Sequence, residues 1–255
     1  PLYSSAASDV YKRQVLPFST GVIGQALPID KITSALPSTL MNLTEDNWQK
    51  AALAIMTTDT FPKGVSKTIE LNGHKITING ISKGAGMIQP NMATMLGFIA
   101  TDANINHELL QNCLTDAAEL SFNRITVDGD TSTNDACVIL ASGATQAPEI
   151  LDDTPEYTIF YEAILAVCQE LAELIIRDGE GATKLIRIEV SEAATIQEAV
   201  KVAKTIAHSP LVKTAFFASD PNWGRILAAV GRAGVVNMHL DACLLYTSPS
   251  PRDAH

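Results

Sequence analysis

The chain predicts an α/β fold on three observations. Apolar residues recur at helical spacing in several windows, short alternating or continuous apolar runs lie between those windows, and Gly, Pro and Asn punctuate the boundaries. The 255 residues, 46% of them hydrophobic, suit one large domain or two small ones with an ample core. No internal repeat and no low-complexity linker interrupts them.

Taken in order, Glu45 and Asp46 follow Thr44, and Trp48, Ala52, Ile55 and Met56 recur at helical spacing, which predicts a helix capped by Thr44. In "TIELNGHKITING" the Asn72-Gly73 pair between two alternating runs predicts a β-hairpin. Leu109, Leu110, Cys113, Leu114, Ala117 and Leu120 make a second helical stripe, and "ACVILASG" reads as a buried strand. Thr154-Pro155 opens a longer helix through "FYEAILAVCQELAELII", closed by Asp178-Gly179. "KLIRIEV" alternates as a strand, "TIQEAVKVAKTIA" is amphipathic, "TAFFA" reads as a strand and "WGRILAAVGRAG" as a helix with a Gly stop. A boundary between subdomains is expected near 181–184.

The two ends are foreign to what lies between. Asp9 to Gln14 can be coded GATGTGTATAAGAGACAG, whose reverse complement reads through as codons for Cys243 to Ser248. Residues 1–14 and 243–255 therefore read as translated sequencing-library adaptor and are set aside from fold reasoning. The genuine protein would run from about Val15 to Ala242, broken off at both sides.

The formal net charge of −10 argues against nucleic acid and anionic membranes as partners. No apolar run is long enough to span a bilayer, and the cytoplasm is the expected compartment. Outside the adaptor-like end, Cys113, Cys137 and Cys168 are widely spaced with no CxxC or His pairing. They are expected to be reduced core thiols, with neither a disulfide framework nor a zinc site.

The stretch "KGAGMIQPNMATMLGFIATDA" (83–103) sets Gly84, Gly86, Pro90 and the small pair Ala93-Thr94 before an apolar run. Alone, it reads as a Gly/Pro turn, and Thr94 as a cap or strand residue. "STGVIG" reads as a glycine-rich turn or phosphate cradle, without the lysine of a P-loop. Lys83 and Glu180, taken alone, are solvated surface charges. "DGDTSTND" crowds Asp128, Asp130 and Asp135 with hydroxyls; it lacks an EF-hand's terminal glutamate, and side chain to backbone stitching is favoured over calcium. "DPNWGRI" is expected to lock a turn to a helix with Trp223 in the core.

Six blocks change that reading by their succession: "STGVIG" (19–24), "AIMTTDTFPK" (54–63), "KGAGMIQPNMATML" (83–96), "DGDTSTND" (128–135), "RDGEGATK" (177–184) and "SDPNWGRILAAVGRAG" (219–234). In this order they resemble the ArgJ family of arginine biosynthesis, the ornithine acetyltransferases or bifunctional glutamate N-acetyltransferases, over residues 19 to 235. The resemblance implies a layered α/β fold of the DmpA/ArgJ-like, self-cleaving N-terminal-nucleophile type. It implies autoproteolysis between Ala93 and Thr94, which makes 15–93 part of an α chain and 94–242 part of a β chain, with a possible subdomain from about 184.

Thr94 would then head the β chain as nucleophile. The residue type is intelligible: an internal hydroxyl has no local base, whereas an N-terminal threonine carries its own amine, with a pKa of about 7.7–8.0. By the resemblance, Thr20 hydroxyl and Gly21 N–H would stabilise the oxyanion, and Thr57, Lys83, Thr94 and Glu180 would contact substrate. Lys83 is assigned to a substrate carboxylate; Glu180 is assigned to the ornithine ammonium or to orienting the Thr94 amine. The implied reaction is ping-pong transfer of acetyl from N-acetylornithine to glutamate, with no metal or organic cofactor and with acetyl-CoA as a further donor in bifunctional members. The chains would assemble as a heterotetramer, and an asparagine and a threonine near the family's C-terminus have no counterpart here. Two rivals stand beside this reading: a related self-cleaving aminopeptidase or amidase, and a non-catalytic binding domain.

Overall fold

Asn72 and Gly73 both take positive φ, 52° and 78°. That pair of left-handed residues is what a two-residue hairpin turn demands. The turn joins β1 (Lys63–Leu71) to β2 (His74–Lys83) in an antiparallel ladder from Leu71 opposite His74 to Lys63 opposite Ser82. β3 (Leu96–Thr101) runs antiparallel to β2, with Lys83 opposite Leu96, and β4 (Ala136–Ala141) runs parallel to β3. The computed structural model describes residues 16–89, 95–131, 135–236, 238 and 244–246, and among these the strands form one sheet in the order β1-β2-β3-β4.

Two short helices precede the sheet, α1 (Ile29–Met41) and α2 (Trp48–Ala54). The parallel β3/β4 pair needs a crossover, supplied by α3 (His107–Glu119), whose Asn106 cap accepts the Leu109 N–H at 2.9 Å. α4 (Pro155–Arg177) starts at Thr154, whose Oγ1 accepts the Tyr157 N–H at 3.2 Å, with Pro155 at its first position. Its buried stripe of Phe160, Ile164, Val167, Leu171 and Ile175 lies against β1 and β2. With Ile76, Ile78 and Ile99 from the sheet and Leu110, Cys113 and Leu114 from α3, it makes the main core. All three described cysteines are free, and burial pushes the Cys113 thiol up to about 12.

A second, smaller core joins α5 (Ile196–Ala207), α6 (Pro210–Phe217) and α7 (Trp223–Gly231) through Val202, Ile206, Val212, Ile226 and Val230. It begins beyond the 181–184 stretch.

The hairpin, α3, α4, α5 and α7 lie where the sequence predicts them, and so does β4, although as an edge strand it is only half-buried, with Leu140 64% exposed, where the sequence predicts a buried strand. The departures have physical reasons. "TAFFA" belongs to helix α6, because Ser209 caps Val212 N at 3.4 Å and Pro210 sits at the first position, a start signal that outweighs the β-propensity of two phenylalanines. "KLIRIEV" forms no ladder. Its alternation reports one-sided burial, with Ile188 and Val190 packed on the second core, and it pairs with no strand among the described residues. Trp223 is 67% exposed: the turn-to-helix expectation holds, with Asn222 as cap, but the buried stripe starts at Ile226. Thr44 occupies a cap position without a side-chain cap bond, ahead of a short 3-10 turn, Glu45–Asn47. The sequence reading missed α1, which carries Pro37 and buries no residue.

Helix α4 packs tightly on β2 at Gly80. A Cβ there would stand 2.8 Å from Leu171 Cδ1 and 3.0 Å from Val167 Cγ1. Gly80→Val is expected to lower the unfolding free energy by about 1–3 kcal/mol through overpacking, read as a lower urea midpoint. An unchanged midpoint would mean that the helix is not seated on the strand at this point.

Candidate functional site

β1 opens with a lysine whose side chain has no exposed surface. Lys63 Nζ donates to Asp59 Oδ1 at 2.6 Å and to Asp178 Oδ2 at 2.5 Å, and it lies 4.9 Å from the centre of the Phe61 ring. Both carboxylates are as buried as the lysine. Each also takes hydrogen bonds from the backbone. Asp59 Oδ1 accepts the Gly84 N–H at 2.7 Å, and its Oδ2 accepts the Thr57 N–H at 3.0 Å. Asp178 accepts the Thr60 N–H at 2.9 Å and the Thr60 hydroxyl. Burial pushes the Asp59 carboxyl up, but the Gly84 N–H, the Lys63 ammonium and the Thr57 N–H outweigh it and hold the group below 3.8. The same contest, won by Lys63 and Thr60, keeps Asp178 below 3.8.

The triad stands at the end of β2, where Lys83 closes the strand. Lys83 Nζ donates to Thr20 Oγ1 at 3.3 Å. The segment that carries Thr20 reaches this point because Phe18 packs edge-on against Phe98 of β3, their rings 5.2 Å apart. Burial holds the Lys83 ammonium below its ordinary pKa, against the opposing pull of Asp59 and Asp135.

Glu180 follows Asp178 by two residues, and its N–H donates to Ala85 O at 2.8 Å. Its carboxylate lies over Gly86: a Cβ at that glycine would be 2.7 Å from Glu180 Cδ. Glycine is therefore the residue that lets this carboxylate rest on the strand's exit.

The next residues are stitched from below. Asp128 accepts the N–H groups of Met87 at 2.7 Å, Ile88 at 3.0 Å and Asp130 at 3.0 Å. Val127 N–H donates to Ile88 O at 2.7 Å and Thr126 Oγ1 donates to the same oxygen at 3.0 Å. Met87 sits at φ 56°, a left-handed strain that Asp128 holds in place. This is the side chain to backbone stitching expected of "DGDTSTND", of which Ser132, Thr133 and Asn134 lie outside the described residues. Among those described, no group of three or more His, Cys, Asp or Glu is arranged to hold a metal ion.

Of the residues singled out in the sequence, Thr20, Thr57, Lys83 and Glu180 all connect to the 83–86 segment, with Gly21 following Thr20 in the chain. Ala93 and Thr94 lie outside the described residues. Sequence reasoning missed the roles of Asp59, Thr60, Lys63 and Asp178. Their only signal was position, since they fall within two of the six blocks, "AIMTTDTFPK" and "RDGEGATK".

The sequence model of the ArgJ family matches residues 3–248. The chain is 60% identical over 233 residues to the Arginine biosynthesis bifunctional protein ArgJ of Methylococcus capsulatus, across 91% of the chain and 57% of that protein. It is 57% identical to the protein of the same name from Pseudomonas fluorescens, across 88% of the chain and 56% of that protein. The chain thus spans somewhat more than half the length of these relatives. The crystal structure of Arginine biosynthesis bifunctional protein ArgJ from Bacillus halodurans is similar at a TM-score of 0.54 and 53% identity, over 55% of the chain and 66% of that structure. No helix among the described residues is long and apolar enough to cross a membrane.

The buried triad has a pH signature. Folding holds both carboxyls below 3.8, so the stability they contribute is complete above about pH 4 and is lost as pH falls through their lower folded values. Lys63→Met leaves two buried carboxylates without their cation and is expected to cost about 3–5 kcal/mol at neutral pH. Burial unopposed would raise their folded pKa values, so that loss should shrink between pH 7.5 and pH 5 as the carboxyls take up protons. Urea midpoints of both proteins at the two pH values measure it, and a pH-independent difference counts against the charge account.

Proposed function

The chain belongs to the ArgJ family, and on that premise we propose that it is the catalytic part of an acetyltransferase of arginine biosynthesis, moving acetyl from N-acetylornithine to glutamate through Thr94. One observation in the fold supports this most directly: Thr20, Lys83 and Glu180, from three distant parts of the chain, converge on the strand exit that runs on in sequence to Ala93-Thr94.

In the proposed chemistry, Thr94 Oγ first attacks the Ala93 carbonyl and the peptide C–N bond breaks. Water then hydrolyses the resulting ester, leaving an Ala93 carboxylate and a free Thr94 amine. That amine takes the hydroxyl proton as Oγ attacks the acetyl carbonyl of N-acetylornithine. Negative charge on the carbonyl oxygen is met by the Thr20 hydroxyl and the Gly21 N–H, where one such donor is worth on the order of 3 kcal/mol. Thr20 Oγ1 accepts from Lys83, so its own hydrogen is left to donate onward. The C–N bond to ornithine breaks, the Thr94 ammonium returns its proton to the departing amine, and acetyl-Thr94 remains. The amine of glutamate then attacks this ester and the steps reverse, yielding N-acetylglutamate.

Lys83, half-buried beside Thr20, is suited to a substrate carboxylate. Thr57 is tied to the same segment through Asp59, which accepts its N–H and that of Gly84. Glu180 is exposed over Gly86 and suited to a distal ammonium, which distinguishes ornithine from apolar acyl donors. Acetyl-CoA as a second donor, a cytoplasmic location and a heterotetramer of α and β chains complete the proposal. The chemistry assigned to these residues calls for no metal or organic cofactor.

Two measurements test it, both on the chain joined at its ends to the flanking segments of the Methylococcus capsulatus relative. Intact mass should show two fragments split at Ala93-Thr94, and a single uncut chain for Thr94→Ala; an uncut chain in both removes the nucleophile. In the acetyl-transfer assay, Glu180→Gln should lower kcat/KM for N-acetylornithine at least tenfold, in line with the roughly 1.5–3 kcal/mol of a hydrogen bond to a charged group. Unchanged kinetics removes the charge role of Glu180, and acetate released in place of N-acetylglutamate would assign the chain to the amidase alternative.

A further inference from the structure

We infer that the Asp59–Lys63–Asp178 triad is the positioning device of the acetyl-transfer site, with Thr60 as the residue that aims Glu180. This rests on the site reading proposed above. The triad touches three parts of that site through backbone donors. Asp59 ties the Thr57 N–H to the Gly84 N–H, so Thr57 and the residue after Lys83 hang on one carboxylate. Asp178 ties the Thr60 N–H and hydroxyl to the turn that two residues later presents Glu180. Lys63 joins the two carboxylates and fixes their separation.

Stability alone does not account for this arrangement. Three charged groups are taken from water at a desolvation cost, and a well-packed apolar set of the same volume holds a fold as well or better. An apolar set cannot accept the N–H groups of Thr57, Thr60 and Gly84. What the triad adds is a fixed register between a loop, a strand exit and a helix end, all of which lie beyond the end of the β1–β2 ladder. Asp178 is also placed where an anion is disfavoured, in the first position past the C-terminus of α4, and Lys63 offsets that placement. The Glu180 turn is then held from both sides, by Thr60 on Asp178 and by its own N–H on Ala85 O. Thr60, Lys63 and the two aspartates touch no reacting atom in this scheme and act through Thr57, Lys83 and Glu180.

Thr60→Val tests the inference without adding or removing a charge or changing volume much. In the end-completed chain described above, Thr60→Val is expected to leave the split at Ala93-Thr94 intact and to lower kcat/KM for N-acetylornithine about tenfold, mostly through KM. The decisive readout is a double-mutant cycle with Glu180→Gln. If Thr60 acts by aiming Glu180, the tenfold loss shrinks to less than twofold in the Glu180→Gln background. An equal loss in both backgrounds, or no loss in either, overturns the inference. Asp178→Asn gives a second cycle by the same criterion. The outcomes separate from failure of the site reading: an unsubstituted protein that transfers no acetyl, or a Glu180→Gln protein as active as it, sinks that reading first.

Discussion

A lysine with no exposed surface must find its counter-charges inside the protein, and Lys63 finds two. The chain is built so that they arrive from opposite directions. Asp59 comes from the loop before β1, four residues from the lysine, while Asp178 comes from the end of α4, more than a hundred residues on. Bringing the second one home requires α4 to run its full 23 residues along β1 and β2, with Gly80 clearing its path. The apolar stripe of the helix and the charge at its end therefore specify the same docking. A helix shifted by one turn would leave an unpaired buried charge as well as a misfitted core.

The chemistry proposed for Thr94 depends on that docking through the strand exit. Residues 83–89 make almost no ladder beyond Lys83, so side chains supply their partners: Asp59 for Gly84, and Asp128 for Met87 and Ile88. A segment so held can keep a left-handed methionine that an unsupported loop would relax. Loops with function on a rigid scaffold are the general pattern, and here the scaffold reaches the loop through carboxylates.

Most regular elements were legible because they obey local rules. Asn72-Gly73 announces its turn, Thr154-Pro155 its helix start, and the stripes of α3 and α4 their buried faces. Failures came where a local signal had two readings. The alternation of "KLIRIEV" marks a buried side without supplying a ladder, and Phe216-Phe217 satisfy a helix once Ser209-Pro210 has started one. Trp223, expected in the core, precedes the stripe that begins at Ile226. Thr20, Lys83 and Glu180 are singled out by block resemblance alone, and periodicity by itself leaves them as surface residues. The Lys63 triad was invisible because its partners are separated by the length of the main core, and pairing across that distance is decided by packing, which no spacing encodes.

The electrostatics of the strand exit follow one order. Lys63 neutralises one of its two aspartates, so the triad keeps a net negative charge, and its Asp59 partly offsets the burial that disfavours the Lys83 ammonium. Asp59 is shared between them: it is a hydrogen-bond acceptor for Lys63 and a field for Lys83. Lys83 stands beside Thr20 in a half-buried place, where a charge acts more strongly than it does in open water. Lys63, paired with its aspartates, opposes the Lys83 ammonium through its field, and Asp59 and Asp135 act the other way. The same three side chains that fix the geometry of the exit thus also set its charge, and changing any one of them alters both.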